Sequence, residues 1–209
     1  MGYVYKKPRV VPGKVDSQKQ ASFIERYRKI RETMDDNDSL FFMDGVHPQH
    51  NPIVHNGWFK KGSKQKLCTN TRYHRLNING AVDIDTLDVF TQGSARLDKE
   101  STLDFLALLR KKRPQGKLYL VLDNAGYYTA PDVVKFAEAL GITLLYLPPY
   151  SPNLNLIERV WGFMQRNILY NKYYATFTHF RDACFNFFKS LKQRKQELST
   201  LLTENFEVI

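Results

Sequence analysis

Apolar positions along this chain fall into two kinds of run. Some are short: Leu40 to Met43 and Leu118 to Leu122 are unbroken, and Ile142 to Leu147 is interrupted only by Thr143. Runs of this length predict strands, and the unbroken character of the first predicts a central one buried on both faces. Others recur at helical spacing, with Phe23, Tyr27, Ile30 and Met34 predicting a helix over 17–34, and Leu103, Leu106, Ala107 and Arg110 one over 101–110. Residues 130–140 read as a helix with Thr129 as N-cap and Gly141 as its stop. Ile157, Val160, Trp161, Met164 and Ile168 mark a helix over 154–169, and Phe180, Cys184, Phe187 and Leu191 a last one over 178–194. From Gly57 to Val89 the pattern is mainly β, with strands over 73–81 and 82–90 and Asn79-Gly80 as turn or bulge residues. Strand, helix and strand over 117–147 form a βαβ unit, which should be parallel and right-handed. Both strands then deliver their carboxyl ends to one sheet edge, where α/β sites usually lie.

With 209 residues, 43% of them apolar, the chain suffices for one well-buried core. Residues 1–37 read as a basic arm followed by an amphipathic helix, and 38–209 as the main domain. The net charge of +10 favours a polyanionic partner, nucleic acid ahead of an acidic membrane. Basic residues cluster at Lys60, Lys61, Lys64 and Lys66, at Arg110 to Arg113, and at Lys189, Lys192, Arg194 and Lys195; such clusters are often only solvated faces. Cys68 and Cys184 lack metal-site spacing and read as buried, reduced thiols. No signal-peptide core and no run near the roughly 20 apolar residues of a membrane span is present, so a cytoplasmic location is expected. Glycine-rich phosphate loops, a Gly-x-Ser-x-Gly nucleophile and Rossmann fingerprints are absent, which disfavours nucleotide hydrolases, esterases and dehydrogenases.

Three acidic residues stand where the chain turns out of an apolar run. Asp44 and Asp123 end strands, and Glu158 lies near the start of the helix over 154–169. Carboxylates suit Mg²⁺ or Mn²⁺, and three converging from separate segments is what two-metal phosphodiester chemistry requires. A DNA-cutting enzyme is the leading expectation. Each residue also has a plain structural reading. Asp44-Gly45 is a common turn pair, Asp123-Asn124 a common strand exit, and Glu158 would complete a capping box if Asn155 were the N-cap. His47 and His50 follow Asp44 and would border such a site if they are not simply solvated.

Val121-Leu-Asp-Asn124, Leu147-Pro-Pro-Tyr-Ser-Pro152, Asn155 and Ile157-Glu-Arg-Val-Trp161 resemble the catalytic core of bacterial insertion-sequence transposases of the mariner superfamily. The 34 residues between Asp123 and Glu158 match the spacing typical of these enzymes. Phe42-Met-Asp44 and Gly57-Trp58 fall in the expected order, and the resemblance runs over about residues 40–180. It implies an α/β, RNase H-like fold, a mixed sheet flanked by helices. It implies that Asp44, Asp123 and Glu158 are catalytic and bind two Mg²⁺ or Mn²⁺ ions, cutting DNA and joining element ends to target DNA. The expected partners are double-stranded DNA, a second copy in a homodimer, and a separate polypeptide carrying helix-turn-helix domains for end recognition. The expected setting is the nucleoid of a prokaryote. A catalytically inactive DNA-binding remnant and another RNase H-like nuclease are the alternatives. Two departures from the family pattern are Tyr127-Tyr128, where many relatives carry a histidine, and Leu156, where proline is frequent. Trp58 is expected in the core, with stacking on DNA or contact with a partner subunit as the alternatives.

Overall fold

The computed structural model describes residues 13–72 and 74–209, so most of the basic arm lies outside the described residues. The strands are β1 (Ser39–Val46), β2 (Asn77–Asp83), β3 (Val89–Ser94), β4 (Leu118–Leu122) and β5 (Ile142–Tyr146). They form one sheet in the order β3-β2-β1-β4-β5. β1, β4 and β5 run parallel, while β2 and β3 add an antiparallel wing. β1 is central because Leu40, Phe41, Phe42 and Met43 have no exposed surface at all, and only an interior strand covers both faces of such a run.

Helices α1 (Ser17–Thr33), α2 (Lys99–Lys112), α3 (Pro131–Ala139), α4 (Ile157–Ile168), α5 (Phe177–Ser190) and α6 (Lys195–Leu201) cover the two faces. The strand period of two sorts β1 between them. Leu40 and Phe42 join Phe23 and Tyr27 of α1, Trp161 of α4 and Phe180 of α5. Phe41 and Met43 face Phe105 and Leu109 of α2 and Val133 and Ala137 of α3. The first helix therefore shares the core of the strands that follow it. Gln20, fully buried on α1, donates from Nε2 to Ser151 Oγ at 2.9 Å and so ties the helix to the loop after β5.

Several predicted details change. Asn79-Gly80 is no turn; both residues lie inside β2, paired with Gly45 and Asp44 of β1. The reversal comes at Asp83–Asp88, where Asp83 Oδ1 accepts the N–H groups of Asp85 and Thr86 and Leu87 takes φ +59°. The strand expected over 82–90 thus splits around this aspartate turn. Residues 54–72 carry no strand. The helix expected over 178–194 stops at Ser190, and α6 follows a short 3₁₀ turn. There the Arg194 guanidinium reaches Glu197 and Asn167 and lies 4.6 Å from the centre of the Phe163 ring, which folds the chain back.

Thr129 does not cap α3; Ala130 holds that position, with Pro131 supplying the helical φ at the first turn. Gly141 does end α3, at φ +65°, the left-handed geometry of a helix stop. Gly141→Ala should lower stability by about 1 kcal/mol, because only the Arg110 side chain must shift and the remaining cost is the left-handed backbone. Urea unfolding monitored by circular dichroism would measure it. Among the described residues no helix is long and apolar enough to cross a membrane.

Candidate active site

The parallel register of β1 and β4 pairs Phe42 with Val121. Two residues further along each chain, Asp44, still within β1, and Asp123, just past the end of β4, stand at the same level; the turn expected at Asp44-Gly45 does not form, because β1 runs on to Val46 paired with β2. Residues 148–156 then carry the chain from β5 to α4, stiffened by Pro148, Pro149 and Pro152 and anchored by Leu154 and Leu156, neither of which is exposed. Glu158 is the second residue of α4, so the helix start faces the same edge. All three acidic residues line one pocket of about 410 Å³, with Asn124, Tyr150 and Asn155 among its other walls. A larger cavity, about 730 Å³, lies among Arg31, Asp85 and Arg113. Its acidic groups include Asp83 and Asp85, which are already in ion pairs with those arginines.

The capping box expected at α4 does not form. Leu156 occupies the N-cap position and no side chain caps the helix. Asn155 is instead buried and donates from Nδ2 to Met43 O of β1 at 3.4 Å. Glu158 is thereby left without a capping duty. At Asp123 the turn reading holds alongside the pocket position, because its Oδ1 accepts the Ala125 N–H at 3.0 Å. Asn124 donates to Leu147 O at 2.6 Å, binding the exits of β4 and β5 together.

The electrostatics are those of crowded anions. Burial, then repulsion from Glu158 and Asp123, pushes the Asp44 carboxyl up to about 7; hydrogen bonds from Gly45 and Trp161 act in the opposite direction. Glu158 is raised too, by burial and by Asp123, with a hydrogen bond to Asp44 opposing. Its surface remains partly open to water, but the concave wall removes enough solvation to set the direction. The Trp161 indole donates from Nε1 to Asp44 Oδ2 at 3.2 Å.

These donors fit a divalent cation of the Mg²⁺ or Mn²⁺ kind. They are oxygens, they carry excess negative charge, and neither histidine nor cysteine lines the pocket. Among the described residues no three histidine, cysteine, aspartate or glutamate side chains stand close enough together to hold a metal ion by themselves. An open set still suits Mg²⁺, which keeps several waters and is usually held by one or two carboxylates together with substrate phosphate oxygens.

Other candidates sit elsewhere. His50 is buried, within 2.8 Å of Tyr174 O and stacked on Phe180, so its place is structural. His47 is exposed and bonded to Asn77. Cys184 is buried as expected, whereas Cys68 is exposed. Trp58 is fully exposed rather than in the core, beside the half-exposed Phe59. The arginines of two basic clusters are engaged within the fold. Arg110 caps the carbonyls of Arg113, Gly116 and Gly141, Arg113 pairs with Asp83 and Asp88, and Arg194 pairs with Glu197. Lys60, Lys61, Lys64 and Lys66 are exposed. Sequence reasoning missed the placements of Asn155 and Trp161 against β1. Both lie in the conspicuous stretch before and after Glu158, but helical periodicity assigned Trp161 only to an apolar stripe.

A sequence profile of the family described as DDE superfamily endonuclease matches residues 39–181, the stretch that contains all three acidic positions. The chain belongs to this family. It is 37% identical over 81 residues to an uncharacterized protein, y4pE/y4sA, of Sinorhizobium fredii (strain NBRC 101917 / NGR234), covering 38% of this chain and 58% of that one. It is 23% identical over 137 residues to the uncharacterized 39 kDa protein of insertion element IS630 from Shigella sonnei, covering 63% of this chain and 39% of that one. The alignments thus span under two thirds of either relative. Among solved structures, the Mos1 mariner paired-end complex with Mg superposes at a TM-score of 0.69 and 16% identity, over 99% of this chain and 69% of that one. The Mos1 transposase catalytic domain, solved with raltegravir and Mn, gives 0.57 and 14%, over 96% and 100%. The mixed five-stranded sheet with its six helices is therefore the RNase H-like fold of a DDE endonuclease domain.

Proposed function

We propose that this DDE endonuclease domain is the catalytic domain of an insertion-element transposase, which cuts DNA at element ends and joins the released 3′-hydroxyl to target DNA. The observation that carries the reading is the pocket at the carboxyl edge of the sheet, whose lining includes three acidic side chains from three separate segments. Asp44, Asp123 and Glu158 would hold two Mg²⁺ or Mn²⁺ ions. Bound there, the cations would activate water or a 3′-hydroxyl and stabilise the leaving 3′-oxygen and the charge at phosphorus. The chain's own part is positional. β1 and β4 hold two carboxylates rigidly at one level, α4 brings the third, and the proline-stiffened loop walls the pocket on one side. Backbone phosphates would be met by exposed lysines, with Lys60, Lys61, Lys64 and Lys66 as the first choice. The arginines of the other clusters are already paired.

The proposal extends to a homodimer acting on double-stranded DNA in a bacterial cell, with helix-turn-helix domains finding the element ends. The test is cleavage of labelled element-end DNA with those recognition domains supplied. Cutting should require Mg²⁺ or Mn²⁺, stop on chelation, and return when either metal is restored. Binding to DNA without any cutting would favour the inactive remnant. Metal-dependent cutting that persists unchanged in Asp44→Ala, Asp123→Asn and Glu158→Ala would sink the assignment of the three ligands.

A further inference from the structure

We propose that Trp161 is a positioning residue for Asp44, its indole N–H setting the carboxylate's orientation toward a divalent cation. The proposal rests on the reading of Asp44 as a metal ligand and adds a residue to that site.

Two independent features carry it. The first is the contact itself. Nε1 of Trp161 lies 3.2 Å from Asp44 Oδ2, and the ring is 2% exposed. A hydrogen bond from a neutral donor to a charged carboxylate, sheltered from water, is among the stronger kinds. Trp161 follows Glu158 by three positions on α4, so one helical face brings both residues to the same strand end. The second feature is the room made for the ring. Gly80 stands directly opposite Asp44 in the β1–β2 register. A Cβ at Gly80 would lie 2.3 Å from the Trp161 ring, a distance no real side chain tolerates. The glycine in the middle of a buried strand, costly for the strand itself, is the cradle through which the indole reaches the carboxylate. The ring's far side is closed by Phe188, edge-on at 5.9 Å. Simple core packing would account for the burial, but it needs neither the missing Cβ opposite Asp44 nor an N–H aimed at that carboxylate.

Partners that orient a metal ligand typically contribute about 10- to 100-fold in metal affinity or activity. Mn²⁺ binding, followed by water-proton relaxation, should therefore weaken about tenfold or more in Trp161→Phe. Phenylalanine also leaves a cavity, so a second replacement keeps the shape. Benzothienylalanine at position 161 retains the bicyclic outline and exchanges the N–H for sulfur. It should show the same loss of Mn²⁺ affinity with the circular-dichroism spectrum and cooperative unfolding of the native fold retained. The wild-type chain offers a further readout, because its two tryptophans are well separated in environment. On titration with Mg²⁺ the ¹⁵N-indole resonance of buried Trp161 should shift, while that of fully exposed Trp58 stays in place. Wild-type Mn²⁺ affinity in the benzothienyl variant, or a Trp161 resonance indifferent to saturating Mg²⁺, would overturn the positioning role and leave the proposed function standing. No Mn²⁺ binding by the wild-type chain even with element-end DNA present would overturn both.

Discussion

Asp123→Asn should abolish metal-dependent strand cleavage while leaving the fold and non-specific DNA binding intact. The substitution separates two duties that the structure gives one side chain. Asp123 Oδ1 accepts the Ala125 N–H, and an asparagine oxygen can accept the same bond, so the turn after β4 survives. What is lost is the negative charge facing the pocket. A neutral amide is a poor ligand for a hard dication, and each metal supplies several kcal/mol of transition-state stabilisation. A loss of about 4 kcal/mol corresponds to roughly a thousandfold in rate. Cleavage of labelled element-end DNA should fall by at least that factor, with gel shifts on non-specific DNA unchanged, since those report on lysines outside the pocket. Activity within a few-fold of wild type would mean that Asp123 is only a turn residue.

Asp44→Asn should make the protein more stable at neutral pH in the presence of a chelator, although it too should be inactive. Asp44 titrates at about 7 in the folded chain, against about 3.9 for an unfolded aspartate. Between those values the folded state keeps a proton that the unfolded state releases. Stability contributed at this position is therefore full below pH 4, falls as the pH rises to 7, and stays low above it. Asparagine cannot ionise, yet its oxygen can still accept the Trp161 N–H. Its advantage should be small at pH 4 and on the order of 4 kcal/mol at pH 8, a magnitude set by the size of the shift. Urea unfolding of both proteins at the two pH values, in EDTA, measures it. An advantage of equal size at both would remove Asp44 as the source. Mg²⁺ should then stabilise the wild type and not the variant, by binding only the folded state. Stability conceded at a working site is a familiar exchange, and here its origin is first the burial of the Asp44 carboxylate and then its repulsion by Glu158 and Asp123.

Much of this was readable from local pattern. The unbroken runs at Leu40 to Met43 and Leu118 to Leu122 announced buried strands, and Gly141 announced a helix end. Errors arose where a residue answers to a distant neighbour. Gly80 looked like a turn because glycine in a strand usually marks one, but its small size serves Trp161, 81 positions away along the chain. Asn155 looked like a cap because its local spacing to Glu158 is that of a capping box, but the backbone of Met43 takes its amide instead. Arg113 looked like one member of a solvated basic cluster, whereas the buried carboxylate of Asp83 required it as a partner. Trp58 went the other way, an aromatic residue assumed buried that the fold leaves in solvent.

The sequence by itself determined most of the helices, the polarity of the βαβ unit and the three acidic residues worth watching, because these depend on periodicity within a few turns of chain and on motif spacing. Only the tertiary structure decided that β1 lies beside β4 in a register that levels Asp44 with Asp123, and that α4 lays Glu158 and Trp161 over the same edge. Strand order and register are set by which apolar faces fit together across the core. Residues 117 positions apart, such as Asp44 and Trp161, leave no local trace of that fit.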